Sequence, residues 1–239
     1  MYIHQRFVDE RKNMSNWVKG IYKKELPNRF RCEVDVGGKT YMCYQPLSFK
    51  LNKIMDPEEK EVLLTKINKE DSDLAYIVYA IGIDKKNYAL LNLQLVNQIF
   101  RDNIDSRKFL FLGKRSNVIC EKKIERLKTD LYVQDTNTVI EVKTIFSFEK
   151  EVLFPNIKSY RIQRQIEELT YLLEGGYKAV LIFAVLTPCP EKIIINRKNS
   201  VFFEAVRLAN RNGLIIKAYR IENVNIKPKV GKEIQVVWE

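Results

Sequence analysis

Thr138-Val139-Ile140-Glu141-Val142-Lys143-Thr144 is the stretch on which the fold is decided, together with Asp130 in Lys128-Thr129-Asp130-Leu131-Tyr132-Val133. Side chains alternate along a strand with a period of two, so Glu141 and Lys143 face the same side. Gln134-Asp135-Thr136-Asn137-Thr138 is polar and reads as a hairpin turn between two apolar strands. Folding back on that turn brings Asp130 beside Glu141. Two acids and a lysine at one end of a hairpin can bind a divalent cation and position an attacking water. The ligands such a cation takes are hard oxygens, which Asp130 and Glu141 supply, with the backbone carbonyl of Val142 as a further donor. Lys143 is then placed to orient the water or to stabilise developing charge, and Glu121 on the preceding strand is an accessory ligand. Taken alone, an aspartate followed by Glu-x-Lys also fits a solvated salt-bridge face, so its neighbours carry the argument.

Downstream of the hairpin, Lys158 to Glu174 has the period of an amphipathic helix, with Ile162, Ile166 and Leu169 on one face and Gly175-Gly176 at its end. Away from that face it presents Lys158, Arg161, Arg164 and Gln165, a row suited to holding a phosphate backbone. Ala179 to Leu186 is a continuous apolar run, expected as a strand buried on both faces. Ser200 to Arg211 reads as a second helix, Leu214 to Tyr219 as another buried strand, and Ile234 to Trp238 as an edge strand. Upstream, Asn117 to Ile124 is expected to be one strand and Leu95 to about Asn103 a helix. Helix, three antiparallel strands, helix, strand is the order of a restriction-endonuclease-like PD-(D/E)xK core.

The N-terminal part has a different texture. Residues 1–16 are polar and read as an arm. Val18 to Tyr22, Phe30 to Val36, Thr40 to Tyr44, Leu74 to Ile83 and Tyr88 to Leu93 are short β-rich runs, and Gly37-Gly38 joins two of them as a hairpin. Lys50 to Asn68 is read as a lysine-rich loop or short helix. Four or five short strands suit a small OB-type barrel, and Arg29 and Arg31 among its aromatics suit nucleic acid. The expected organisation is an arm (1–16), an OB-like domain (17–92) and a nuclease-like domain (93–239), an α/β chain of the α+β kind.

Lys and Arg outnumber Asp and Glu by 41 to 30 in 239 residues, a net charge of +11 that favours a polyanionic partner, nucleic acid before a membrane surface. The same excess arises in lysine-rich proteomes. Cys32, Cys43, Cys120 and Cys189 form no C-x-x-C pair, which argues against a zinc site or a disulfide framework. The one histidine, His4, makes a Ser-His or Cys-His mechanism a poor fit. Neither a phosphate-binding glycine loop nor an apolar run of the ~20 residues that span a bilayer is present. Met1 to Lys12 lacks the apolar stretch of a signal peptide. A cytoplasmic protein is expected, with a homodimer left open.

Glu121, Asp130, Ile140-Glu141-Val142-Lys143-Thr144, Leu153-Phe154-Pro155, Arg161, Glu168-Leu169, Gly176 to Phe183 and Ala218-Tyr219 together resemble the sugar fermentation stimulation protein A family. Upstream, Arg29-Phe30, Glu33 and Asn92 to Asn97 resemble its entry strand and an Asn-x-Gln-Leu-Pro-Asn-like segment. The resemblance implies an OB-like DNA-binding domain followed by a PD-(D/E)xK nuclease-like domain, with Asp130, Glu141 and Lys143 as the catalytic set. This chain departs from the family pattern at Gln45-Pro46-Leu47, at Leu127-Lys128, and at Gln165, where a histidine is expected; the metal acids are intact. The function expected is hydrolysis of phosphodiester bonds of DNA, or of RNA, dependent on Mg²⁺ or Mn²⁺. The alternative is a DNA-binding regulatory protein with a catalytically idle core.

Overall fold

The computed structural model describes residues 17–68, 72–157 and 159–238. The arm read at residues 1–16 and Lys158 lie outside the described residues. By compactness the chain divides into two units, one of residues 17–92 with Asn223–Pro228, the other of residues 93–222 with 229–238.

The first unit holds β1 (Val18–Glu25), β2 (Arg31–Val36), β3 (Lys39–Tyr44), β4 (Glu61–Lys66), β5 (Tyr76–Gly82) and β6 (Tyr88–Leu90). Gly37 and Gly38 both take positive φ, 63° and 84°, the left-handed pair that a two-residue hairpin with the twist of its strands requires. β1 pairs with β2 along one edge and β4 along the other, and its register shifts between Tyr22 and Lys24. Such a bulge coils a strand enough to serve two neighbours. A short parallel pairing of β3 with β5, Cys43 opposite Tyr76 and Tyr44 opposite Ile77, closes a five-stranded OB-like barrel. Tyr22, Cys32, Val34, Cys43, Val62, Leu64 and Val78 fill it. Within this unit the Tyr79 hydroxyl donates to the Val224 carbonyl (2.9 Å), which ties residues 223–228 to the barrel.

One correction concerns β4, which falls inside the stretch read as a lysine-rich loop or short helix. Val62, Leu63 and Leu64 are all buried, and the register slips between Leu63 and Leu64, so the alternation that identifies a strand is absent. Flanking lysines obscure what remains.

The second unit contains α1 (Val96–Asp102), β7 (Val118–Cys120), β8 (Lys123–Ile124), β9 (Leu127–Lys128), β10 (Leu131–Val133), β11 (Thr138–Ile145), β12 (Glu151–Phe154), α2 (Tyr160–Glu174), β13 (Lys178–Val185), β14 (Lys192–Ile195), α3 (Ser200–Arg211), β15 (Ile215–Glu222), β16 (Lys229–Glu233) and β17 (Gln235–Trp238). Its main sheet runs β16-β15-β13-β11-β10-β7. β11, β13 and β15 are parallel, while β7, β10 and β16 run antiparallel to their neighbours. Val139, Ala179, Leu181, Phe183, Val185 and Ala218 face a core completed by Ile166, Leu169 and Leu172 of α2 and Phe202, Val206 and Ala209 of α3. On the other face Tyr219 meets Phe100 of α1 and Phe109, with ring centroids 6.5 Å and 5.3 Å away. This layered arrangement is the mixed α/β core expected from the element order.

Two expectations about strands change here. Asn117 to Ile124 is not one strand, because Glu121 and Glu125 adopt positive φ (54° and 49°) and turn β8 and β9 into a separate two-stranded hairpin. The strand β12, directly before Pro155, has no counterpart among the strands expected from the sequence. β12, β14 and β17 form a parallel three-stranded sheet of their own, so the C-terminal strand borders that sheet and not the main one. Neither pairing is local in sequence, and four-residue strands carry too short a pattern to name their partners. Among the described residues no helix is long and apolar enough to cross a membrane.

Candidate functional site

The hairpin of β10 and β11 pairs Leu131 with Ile140, Tyr132 with Val139 and Val133 with Thr138. One step further in that register, Asp130 stands opposite Glu141. The turn between the strands closes through Asn137, at φ 53°, whose side-chain oxygen accepts from the Tyr132 hydroxyl at 2.5 Å. Thr129 is fully buried and its hydroxyl lies 2.9 Å from the Leu131 carbonyl and 2.8 Å from that of Ile140, pinning the entry to β10.

Odd-numbered residues of β11 face α2. Val139 and Ile145 enter the apolar core at the two ends, and the polar pair Glu141 and Lys143 fills the middle of the row. Glu141 is 2% exposed. Lys143 Nζ donates to Glu141 Oε1 at 2.6 Å and to Gln165 Oε1 at 2.7 Å, and Gln165 Nε2 donates to the same Glu141 oxygen at 2.5 Å. The other oxygen, Oε2, is buried and has no hydrogen-bond partner. A buried oxygen without a donor is costly in a carboxylate unless something else satisfies it. Asp130 is held at both oxygens: Oδ2 accepts from the Val142 backbone N–H at 2.7 Å and Oδ1 from Asn97 Nδ2 at 2.9 Å.

The electrostatics follow from this packing. Burial, then the neighbouring charge of Asp130, push the Glu141 carboxyl from its ordinary 4.5 up to about 7, against the pull of Lys143 and Arg161. Two carboxylates side by side in a dry place repel each other, and a cation between them would relieve both that repulsion and the unpartnered oxygen.

The residues fit a hard divalent ion. Oxygen donors are what such ions take, and Mg²⁺ in particular is held by one or two carboxylates while keeping several waters. Among the described residues no group of three or more His, Cys, Asp or Glu side chains is placed to hold a metal. The protein therefore offers a pair. Glu121, read as an accessory ligand, has a carboxylate 60% exposed and paired with Lys128, and it contributes its backbone N–H to the Asp130 carbonyl at 3.0 Å.

The residues of the α2 row differ in their surroundings. Gln165 turns into the acid pair instead of outward. Arg161 is exposed, yet its charge reaches Glu141. Arg164 is spent on a surface ion pair with Glu168 one turn along, Nε to Oε1 3.0 Å. In the barrel unit, Arg29 lies over the Phe30 ring at 4.7 Å, and Arg31 is paired with Asp73 at 2.7 Å. By strand alternation and register, the barrel face carrying Arg31 also carries Glu33 and Asp35.

Asn97 was not singled out by the sequence except as part of a longer segment. The sequence shows it only as a polar residue among apolar Val96, Ile99 and Phe100, a pattern that does not name its partner.

Comparison with known proteins supports the likeness carried by these residues. Curated homologues of sugar fermentation stimulation protein include one from Natranaerobius thermophilus, 27% identical over 84% of this chain and 86% of the relative. Another, from Methanobrevibacter smithii, is 25% identical over 90% of this chain and 96% of its own. Among solved structures, SfsA of Pyrococcus furiosus in complex with Ca²⁺ superposes with a TM-score of 0.74 at 21% identity, covering 93% of this chain and 96% of that one. The family model of the sugar fermentation stimulation protein RE domain matches residues 94–226, the stretch that holds both acids, Lys143, Asn97 and Gln165. With more than half its length inside that match, the chain belongs to the sugar fermentation stimulation protein (SfsA) family.

Proposed function

We propose that this protein is a divalent-metal-dependent nuclease that hydrolyses phosphodiester bonds of DNA, with Asp130 and Glu141 as metal ligands and Lys143 as the catalytic cation. The observation that carries the reading is Glu141 Oε2, buried and without a donor on an acid that stands opposite a second acid and beside a lysine. The Pyrococcus relative was solved with Ca²⁺, a hard cation of the class that takes oxygen ligands, and this supports the metal part of the reading. The net charge of +11 supports a polyanionic substrate.

Mg²⁺ or Mn²⁺ would be held by Asp130 and Glu141, and when bound it supplies Lewis-acid polarisation of a phosphate oxygen and a more acidic water. The chain's own residues do the rest. Gln165 and Glu141 fix the Lys143 ammonium, so its charge is already in place when negative charge builds on the reacting phosphate, and no reorganisation is needed at that moment. Val142 N–H and Asn97 hold Asp130 in one orientation. Arg161, on the face of α2 beside Gln165, is placed to hold a neighbouring phosphate of the strand.

A second reading, a DNA-binding regulator with an idle core, draws on Asp130, both of whose oxygens already accept protein hydrogen bonds. Each carboxylate oxygen accepts twice, however, so one lone pair on each is left for a metal. The readings separate in a titration with Mn²⁺ followed by a cleavage assay of Lys143→Ala. A nuclease binds the ion and loses about 10²–10³ in rate when the ammonium is removed. A regulator binds DNA without any metal requirement, and its affinity is unchanged in Asp130→Ala.

A further inference from the structure

We propose that Asn97 and Gln165 are positioning residues that set the metal affinity of the site, each aiming one of the two carboxylates from a different helix. This rests on the reading of Asp130 and Glu141 as metal ligands.

A carboxylate that is free to rotate presents either oxygen, and each oxygen can accept two hydrogen bonds. Glu141 has no such freedom. Its Oε1 receives Lys143 Nζ at 2.6 Å and Gln165 Nε2 at 2.5 Å, which fills that oxygen and leaves Oε2 as the atom available for coordination. The sense of the Gln165 amide is fixed in turn, because its oxygen accepts from Lys143 at 2.7 Å. Reversing the amide would set an NH₂ group against the ammonium and leave a carbonyl facing a carboxylate. Lys143 therefore orients Gln165, and Gln165 orients Glu141.

Asp130 is clamped differently. Asn97 Nδ2 on α1 and the Val142 N–H on β11 take one oxygen each, at 2.9 Å and 2.7 Å, which fixes the plane of the carboxylate and leaves one lone pair on either atom. Both side chains that do this work are neutral. Asp130, Glu141 and Lys143 carry a formal net charge of −1 when both acids are ionised, and a further lysine or arginine at position 97 or 165 would cancel the charge that draws a cation in. A carboxamide orients without neutralising, and partners of this kind typically change metal affinity 10- to 100-fold when removed.

The test uses the full-length protein and Mn²⁺, whose free and bound forms are distinguished by electron paramagnetic resonance. Gln165→Met and Asn97→Leu keep side-chain size and delete the hydrogen bonds; Arg164→Ala, on the same helix, is the control. Each of the first two variants is expected to bind Mn²⁺ about 10- to 100-fold more weakly than the unaltered protein, with its melting temperature preserved and the control unchanged. Because the variants lie on separate helices, either one that remains folded gives the answer. Unaltered Mn²⁺ affinity in the folded variants overturns the positioning role and leaves the metal site standing. Failure of the unaltered protein to bind Mn²⁺ overturns the metal reading, and the positioning role with it.

Discussion

Glu141 is pulled two ways: its packing favours the protonated acid, while its proposed role needs the carboxylate. Folding raises its pKa from about 4.5 to about 7, chiefly by desolvation and next by the Asp130 charge. An acid whose pKa rises on folding binds its proton more tightly in the folded state, so its stabilising contribution is complete below pH 4.5 and is lost as pH climbs through 7. The size is about 3 kcal/mol, from roughly 1.4 kcal/mol per pKa unit. Metal-free protein should accordingly lose stability between pH 4.5 and pH 7, and Glu141→Gln should flatten that part of the curve. Chemical denaturation at a series of pH values measures it; an equally steep loss in the Gln variant would refute the assignment. Metal affinity should run the other way, tightening over the same window as the proton leaves. At this scale the sequence was informative wherever chain geometry alone fixes a contact. The two-residue spacing of Glu141 and Lys143, and the hairpin that returns Asp130, are local. Gln165 drew notice for its place in a basic row, but its partners lie on a strand more than twenty residues away, and Asn97 reaches Asp130 across 33 residues. Periodicity has no information about such contacts.

The hairpin itself depends on Asn137, whose positive φ of 53° an asparagine adopts readily and a β-branched residue does not. Asn137→Val should destabilise the protein by about 1–2 kcal/mol through backbone strain, in addition to losing the hydrogen bond from Tyr132. Asn137→Gly keeps the backbone freedom and should cost less. Urea unfolding of the two variants ranks them, and equal losses would show that the positive φ at Asn137 costs valine no strain. Elements with strong periods were legible in the sequence: α2, α3, and β13, which is buried along nearly its whole length. Those hidden were β4, whose bulge breaks its alternation, and the small sheet of β12, β14 and β17, whose strands are too short to show a period. The positive φ of Glu121 and Glu125 that splits off β8 and β9 gives no warning either, since glutamate is not a residue that advertises a left-handed turn.

Over the whole molecule several basic side chains are tied up in ion pairs: Lys19 with Glu61, Lys23 with Glu59, Arg31 with Asp73, Lys217 with Glu233. What matters for a polyanion is the excess of +11 that remains after all acids are counted. DNA binding should therefore weaken steeply with salt, with log affinity linear in log salt and a slope of about −0.9 for each phosphate neutralised on a duplex. A flat salt response in a filter-binding or anisotropy titration would contradict a phosphate-directed surface. The order of elements was the readable part at this scale, a barrel texture followed by a helix, a three-strand meander, a helix and a strand, because each step is a local pattern. Closure of the barrel through β3 and β5 was not, since a two-pair parallel contact leaves no trace in either strand. The most direct measurement is the cleavage of end-labelled DNA, with RNA alongside, by the purified protein and by Glu141→Ala, each with Mg²⁺ or Mn²⁺ and with chelator. The predicted result is cleavage that needs the ion and falls by on the order of 10³-fold or more in the variant; no cleavage by the unaltered protein, or cleavage undiminished in Glu141→Ala, would contradict it.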